Sequence, residues 1–317
     1  MAARTLSAAA DPGAATIERP VPLGVLFALG SVYFVWGSTY LGMRVALETL
    51  TPFVLGAIRF LAAGAILFAI LRLRNTPWPT AREWVGAAIT GALMLTLGNG
   101  LVAVAQSAHV DSGVAATVVA TMPVWMAVGS SFFGERPSAR EIAGLLVGLV
   151  GVGILQSGGS LSAAGGWGAL AIIGAPITWA AGSLLSRRLT MPSGMSAAAA
   201  QMICGGVFMG IIAAVRGEHL PTTVDVRSIS AVAYLVVFGS LLGFTAYGYL
   251  LRKTRPTVAS SYAYVNPIVA LLLGAVGAGE DLSTLKLAAC AIVIASVVLV
   301  VRKPARAVPA AVVTRAG

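Results

Sequence analysis

Along most of its length the chain alternates nearly uncharged apolar stretches of about twenty residues with short connectors carrying Arg, Lys, Pro or Gly/Ser clusters. An α-helix needs about 20 apolar residues to cross ~30 Å of hydrocarbon, and its backbone must be satisfied within the segment. Runs bounded in this way predict ten spans, near 23–43, 52–71, 84–106, 112–133, 141–157, 166–186, 195–215, 229–250, 257–279 and 283–301. The expected fold is an all-α integral membrane protein with ten transmembrane helices. Composition points the same way, since 58% of residues are apolar and 10% charged, against roughly 25% charged in a soluble domain. Mean hydropathy is +0.90.

Charge then sets an orientation. With both termini cytoplasmic, sixteen of the 21 Lys and Arg residues fall in inside segments and four in outside loops (Arg44, Arg216, Arg227 and Lys286), with Arg59 inside span two. Such a bias toward the cytoplasmic side is the rule for membrane helices. The expected location is the plasma (inner) membrane, with tails 1–20 and 304–317 inside. Arg4 and Arg19 before an apolar run could open a signal peptide, yet that run is full-length and no Ala-x-Ala pattern follows, so it is kept as span one. The net charge of +10 is scattered in ones and twos rather than gathered on a face, which argues against nucleic acid as a partner.

The sequence also repeats. A shift of 144 residues brings Val114-Ala115 onto Val258-Ala259 and Pro123 onto Pro267, with Gly134-Glu135 meeting Gly279-Glu280 one residue later. Trp36 and Arg44 correspond to Trp179 and Arg187, and Arg59 falls opposite Gln201. Five spans (21–157) thus repeat as five spans (158–303). Because five is odd, the two copies are expected to lie antiparallel, an arrangement that places a midplane site between halves able to rock.

The chain resembles EamA-type members of the drug/metabolite transporter superfamily. The resemblance is carried by Trp36-Gly37-Ser38-Thr39, Ala57-Ile58-Arg59-Phe60, Met122-Pro123-Val124 and Gly134-Glu135-Arg136-Pro137, with Val265-Asn266-Pro267-Ile268 and Gly279-Glu280 in the second copy. It implies a ten-helix fold, a central cavity open to one side at a time, and export of small metabolites such as amino acids; it is weak for any one substrate. Gln201 in place of a second Arg makes any role of Arg59 asymmetric.

Several residues are expected to carry transport. Arg59 is the one formal charge well inside a predicted span; it either anchors its helix or meets an anionic substrate group. Tyr33, Trp36 and Tyr40 share a helical face, and Trp36 and Trp179 sit near mid-span, away from the interfaces where aromatics usually collect, so both are expected to line the cavity, with packing the alternative. Asn99 and Gln106, then Thr121 and Trp125, then Tyr262, Tyr264 and Asn266 form polar or aromatic faces that should point inward, toward substrate or neighbouring helices. Ser183, Gln201 and Tyr247 complete the binding set. Pro123 and Pro267 are expected to kink their helices at equivalent points and act as hinges. Gly144 and Gly148 form a small-xxx-small pattern that leaves an internal contact and a homodimer equally open.

Other chemistries lack residues. Cys204 and Cys290 lie in apolar runs with no Cys/His cluster, and no nucleophile, metal-ligand set or phosphate loop is present, so no enzyme, metal or cofactor is expected. All eleven acids fall in tails, loops or span ends, which gives no buried relay for obligatory proton coupling. The partners expected are a small-molecule substrate and the bilayer. Multidrug efflux of aromatic cations is the competing reading, with cation–π contact standing in for the missing carboxylate.

Overall fold

The computed structural model describes residues 21–110, 112–155, 167–221, 223, 225–278 and 283–301, and all regular elements among them are helical. In chain order they are α1 (Leu23–Ala46), α2 (Pro52–Leu73), α3 (Ala81–Ser107), α4 in two pieces (Ser112–Val119 and Met122–Phe132) and α5 (Ala139–Leu155). There follow α6 (Trp167–Leu185), α7 (Met195–Val215), α8 (Val226–Lys253), α9 in two pieces (Pro256–Ala259 and Tyr262–Ala278) and α10 (Thr284–Val301). Eight of these rods are long and apolar enough to cross a membrane, against the ten crossings expected. The two that fall short are α5, of 17 residues with Arg140 and Glu141 in its first turn, and α10, whose apolar part runs Leu287–Val301. The tails 1–20 and 304–317 and the Gly279-Glu280 step lie outside the described residues.

Helix starts follow from local chemistry. Thr80 and Glu83 form a reciprocal capping box at α3, with the Thr80 N–H donating to Glu83 Oε2 at 2.7 Å. Asp225 accepts from the Ser228 N–H at 3.0 Å to open α8, and the Ser228 hydroxyl, with that N–H second, holds its carboxyl below the usual range. The first turn of α2 is served from across the molecule: Glu218 Oε2 accepts from the N–H groups of Phe53 (3.0 Å) and Val54 (3.3 Å). A carboxylate there satisfies orphan donors and complements the helix dipole.

The packing is reciprocal. α2 lies along α7 and α5 along α10, while α1 packs on α8 and α9 as α6 packs on α3 and α4. Both α3 and α8 contain a π-helical segment, at Ala92–Asn99 and Leu235–Leu242, of the kind that often marks functional sites. The first ends between the two glycines flanking Asn99. Large apolar side chains such as Phe27, Phe132 and Trp167 cover the outside of the bundle, as lipid contact requires.

The matched proline kinks take a different form. α4 breaks at Ala120-Thr121, and Pro123 stands in the first turn of the second piece, where a missing N–H is harmless. Pro267 alone lies inside a helix; its rod breaks earlier, at Ser260-Ser261. Gly144 and Gly148 face α10: an added Cβ would come within 2.8 Å of Val300 and 2.9 Å of the Ser296 hydroxyl, respectively. The small-residue stripe therefore serves an internal contact.

That closeness yields a test. Gly148→Val should overpack the α5–α10 seam and cost about 1–3 kcal/mol, whereas Gly153→Val, on the same helix with nothing within 4 Å, bears only the common propensity change. Thermal melts of the two purified variants in detergent should show a lowered Tm for Gly148→Val only; equal melts would place α5 and α10 further apart.

Candidate functional site

A cavity of about 520 Å³, counting its open mouth, lies at the centre of the bundle and takes residues from seven rods, α1 to α4, α6, α8 and α9. Its lining comes from the halves of α1 to α4 nearest the α1–α2 and α3–α4 turns. Seven residues singled out by sequence meet there: Trp36, Tyr40, Arg59, Asn99, Trp179, Tyr262 and Asn266.

The floor is aromatic. Trp36 packs edge-on against Trp179 with ring centroids 5.4 Å apart, and its centroid lies 5.4 Å from Phe244, 5.0 Å from Tyr247 and 4.7 Å from Tyr262. Such offset and edge contacts are the favoured geometries of ring pairs. The Trp36 indole N–H donates to the Gly239 carbonyl at 2.9 Å, and the ring occupies the place a side chain at Gly243 would need. Trp179 lies against Gly98 in the same manner, a Cβ there falling 2.9 Å from its ring. Each tryptophan thus rests on a glycine in or beside the π segment of the other repeat.

Above this floor sit polar groups with few partners. Arg59 is 2% exposed; its Nε donates to the Ser240 hydroxyl at 2.8 Å and its guanidinium lies 4.8 Å from the Phe60 ring centroid. Among the described residues no carboxylate forms an ion pair with it. The Trp179 indole N–H faces the Tyr247 hydroxyl and the Asn266 side chain meets the Tyr40 hydroxyl, while Asn266 Oδ1 is buried with no hydrogen bond of normal geometry. A buried polar atom left unpaired costs about 1–3 kcal/mol, so an open Asn266 Oδ1 beside a buried guanidinium that faces no described carboxylate calls for a ligand-side explanation.

The other seven predicted residues stand apart. Gln106 donates to the Tyr40 carbonyl at 3.2 Å and lines a separate cleft with Arg44, Glu48 and His109. Thr121 sits in the α4 break and accepts from Trp125 Nε1 at 3.2 Å, while Trp125 itself is 39% exposed on the bundle's exterior. The Ser183 and Tyr247 hydroxyls bond each other at 2.8 Å beneath Trp36, and Gln201 donates to the Thr90 hydroxyl at 2.9 Å. Tyr264 donates to the Leu145 carbonyl at 3.0 Å in the α5–α10 core. Each makes a hydrogen bond within the protein, Thr121 and Trp125 along their own rod and the others between rods, which is the packing alternative. The sequence reading missed Met43, Met122 and Phe244 in the wall and Ser240 beside Arg59. An apolar residue on a helix apolar all round carries no signal of facing a cavity, though Ser240 is the sole hydroxyl of its π segment.

At the opposite end, ion pairs tie the two repeats together. Glu135 receives Arg187 (3.1 Å) and Arg188 (3.4 Å), and Glu141, 2% exposed, receives Arg255 (2.7 Å) and the Thr257 hydroxyl (2.8 Å). A second cavity of about 470 Å³ opens near this end between Ser186, Arg187, Gln201 and Arg252, with Phe244 and Tyr247 shared between its wall and the aromatic floor.

Comparison with known proteins places this geometry in context. The EamA-like transporter family matches residues 22–156 and again 166–302. The uncharacterized inner membrane transporter YedA of Escherichia coli K12 is 43% identical over 277 residues, covering 87% of this chain and 89% of its own. A probable amino-acid metabolite efflux pump of Salmonella typhimurium is 24% identical (83% and 90% coverage), and a WAT1-related chloroplastic protein of Arabidopsis thaliana 26% (85% and 67%). One solved crystal structure superposes with a TM-score of 0.72 at 20% identity, over 87% of this chain and 95% of the other, a likeness of fold.

Because Trp36 joins four rings and an N–H bond, Trp36→Ala should cost about 3–5 kcal/mol, as a core Trp does. Trp179→Ala, which breaks three ring contacts, should retain more folded protein while still altering the cavity. Size-exclusion yield and melting temperature check the order; equal losses would remove the distinction.

Proposed function

The chain belongs to the EamA-like transporter family, and on that premise we propose that it exports small metabolites, amino acids or related compounds, by alternating access through the central cavity. The observation that carries this reading is the cavity itself, set where Trp36 and Trp179 of the two repeats meet and walled by a buried Arg59 that faces no described carboxylate and by Asn266, whose Oδ1 is open. The likeness to an amino-acid metabolite efflux pump supports the substrate class.

The reading includes ten spans in two inverted halves, 21–157 and 158–303. In its favour, corresponding rods meet each other (α2 with α7, α5 with α10) and the remaining contacts are exchanged between halves, which is how parts related by a two-fold axis pack. The loop charges put both tails in the cytoplasm and the protein in the inner membrane, as the likeness to an inner membrane transporter suggests. In that orientation the cavity faces outward, and the Glu135 and Glu141 ion pairs with the aromatic floor close the inner side. The aromatic lining also favours a second reading, multidrug efflux of aromatic or cationic compounds.

Three outcomes are expected. Purified protein in liposomes should exchange labelled amino acids against an internal pool, and flux limited to lipophilic cations would select the second reading. No described carboxylate lines the cavity, so exchange should proceed at equal pH on both sides; flux that needs an imposed gradient would reverse that view. Reporters active only in the cytoplasm should work at both termini, and silence at either one would overturn the ten-span topology.

A further inference from the structure

We propose that Arg59 is the counter-charge for the transported molecule, so that the cavity takes an amphipathic monocarboxylate bearing an N–H donor and rejects cations. The assignment rests on the transporter reading for its meaning, but its evidence is the local geometry.

A buried guanidinium is costly unless paired, because desolvation takes several kcal/mol that only a facing charge and hydrogen bonds return. Arg59 has five N–H donors. One, on Nε, is spent on Ser240. Around it the protein offers the Phe60 ring, Gly239, Thr39 and the Tyr234 hydroxyl, the ionisable side chain close enough to act on it. The Gly239 carbonyl accepts from Trp36, and the Tyr234 hydroxyl bonds Ser38. Gly239 has no room for a side chain: a Cβ would come 2.8 Å from Arg59 Nη2, so the missing side chain is what lets the guanidinium reach its position. What remains is a planar fork on the wall of the cavity, the shape that grips a carboxylate through two parallel bonds.

Other groups on the wall complete the complement. Asn266 Oδ1 is an acceptor awaiting a donor, which an amide or amine N–H on the substrate supplies. Trp36, Trp179, Phe244 and Tyr262 provide an apolar body site. Among the described residues Arg59 is the one basic residue in the cavity wall, which suits a single negative charge and is too little for a phosphate dianion. A cation would meet an uncompensated positive charge at short range, and aromatic faces worth about 0.5–2 kcal/mol do not offset that.

The test uses three probes of similar size on the full-length protein in nanodiscs, with binding read from tryptophan fluorescence: N-acetylphenylalanine (monoanion), its neutral amide, and 2-phenylethylamine (cation). Wild-type protein should bind the anion about tenfold or more tighter than the amide and the cation weakest, the scale of a hydrogen bond to a charged group. Arg59→Met should lose the preference for the anion while still binding the amide, which also shows that the cavity has folded; Arg59→Lys should keep part of it. Equal binding of anion and amide by the wild type, a preference that survives in Arg59→Met, tighter binding of the cation, or no binding of any probe would each overturn the proposal, and the first and last need no variant to fold. Flux in proteoliposomes separates this from the transporter reading: Arg59-dependent binding without flux keeps the site and removes transport, whereas flux of anion and amide at equal rates removes the site and keeps transport.

Discussion

In a bilayer, apolar side chains gain little by leaving lipid for protein, so helices associate through close packing and the hydrogen bonds it permits. The seams between the repeats depend on this. Along α5 and α10, and again between Gly64 of α2 and Ile203 of α7, the backbones approach so nearly that an added Cβ would stand within 3 Å of its neighbours. Where Gly239, Gly243 and Gly98 open the same kind of space near the centre, it is filled by Arg59, Trp36 and Trp179 respectively.

The consequence is a division of labour among polar groups. Most of those named here are satisfied inside the bundle, as with Gln201 on Thr90, Ser183 on Tyr247 and Tyr264 on the Leu145 carbonyl. They hold rods together where hydrocarbon gives no alternative partner. Around the cavity walled by both repeats, Arg59 faces no carboxylate among the described residues and Asn266 Oδ1 is open, while the ion pairs of Glu135 and Glu141 brace the end of the molecule away from it.

The π segments fit the same account. A wider helical turn at Ala92–Asn99 and Leu235–Leu242 re-aims the residues that follow, bringing Asn99 to the cavity wall and setting the Gly239 carbonyl under Trp36 and the Ser240 hydroxyl against Arg59. That both lie in the third rod of their repeat ties the irregularity to the site rather than to a local accident of sequence.

The sequence by itself determined the membrane class, the helical rods and the repeat, because apolar run length, charge placement and self-similarity are local quantities that no packing can alter. It also picked out Arg59, Trp36, Trp179 and Asn266, since a charge, an amide or a large indole in mid-span is conspicuous against an apolar background. Only the tertiary structure decided which polar faces meet the cavity and which meet another helix: Asn99 and Gln106 share a face in α3, yet one lines the cavity and the other donates to the Tyr40 backbone. It decided too that Pro123 begins a helix while Pro267 sits within one, and that Ser240 is the partner of Arg59 from 181 residues away. The physical reason is that spacing along a helix fixes a residue's face, whereas what lies opposite that face is set by rods distant in sequence.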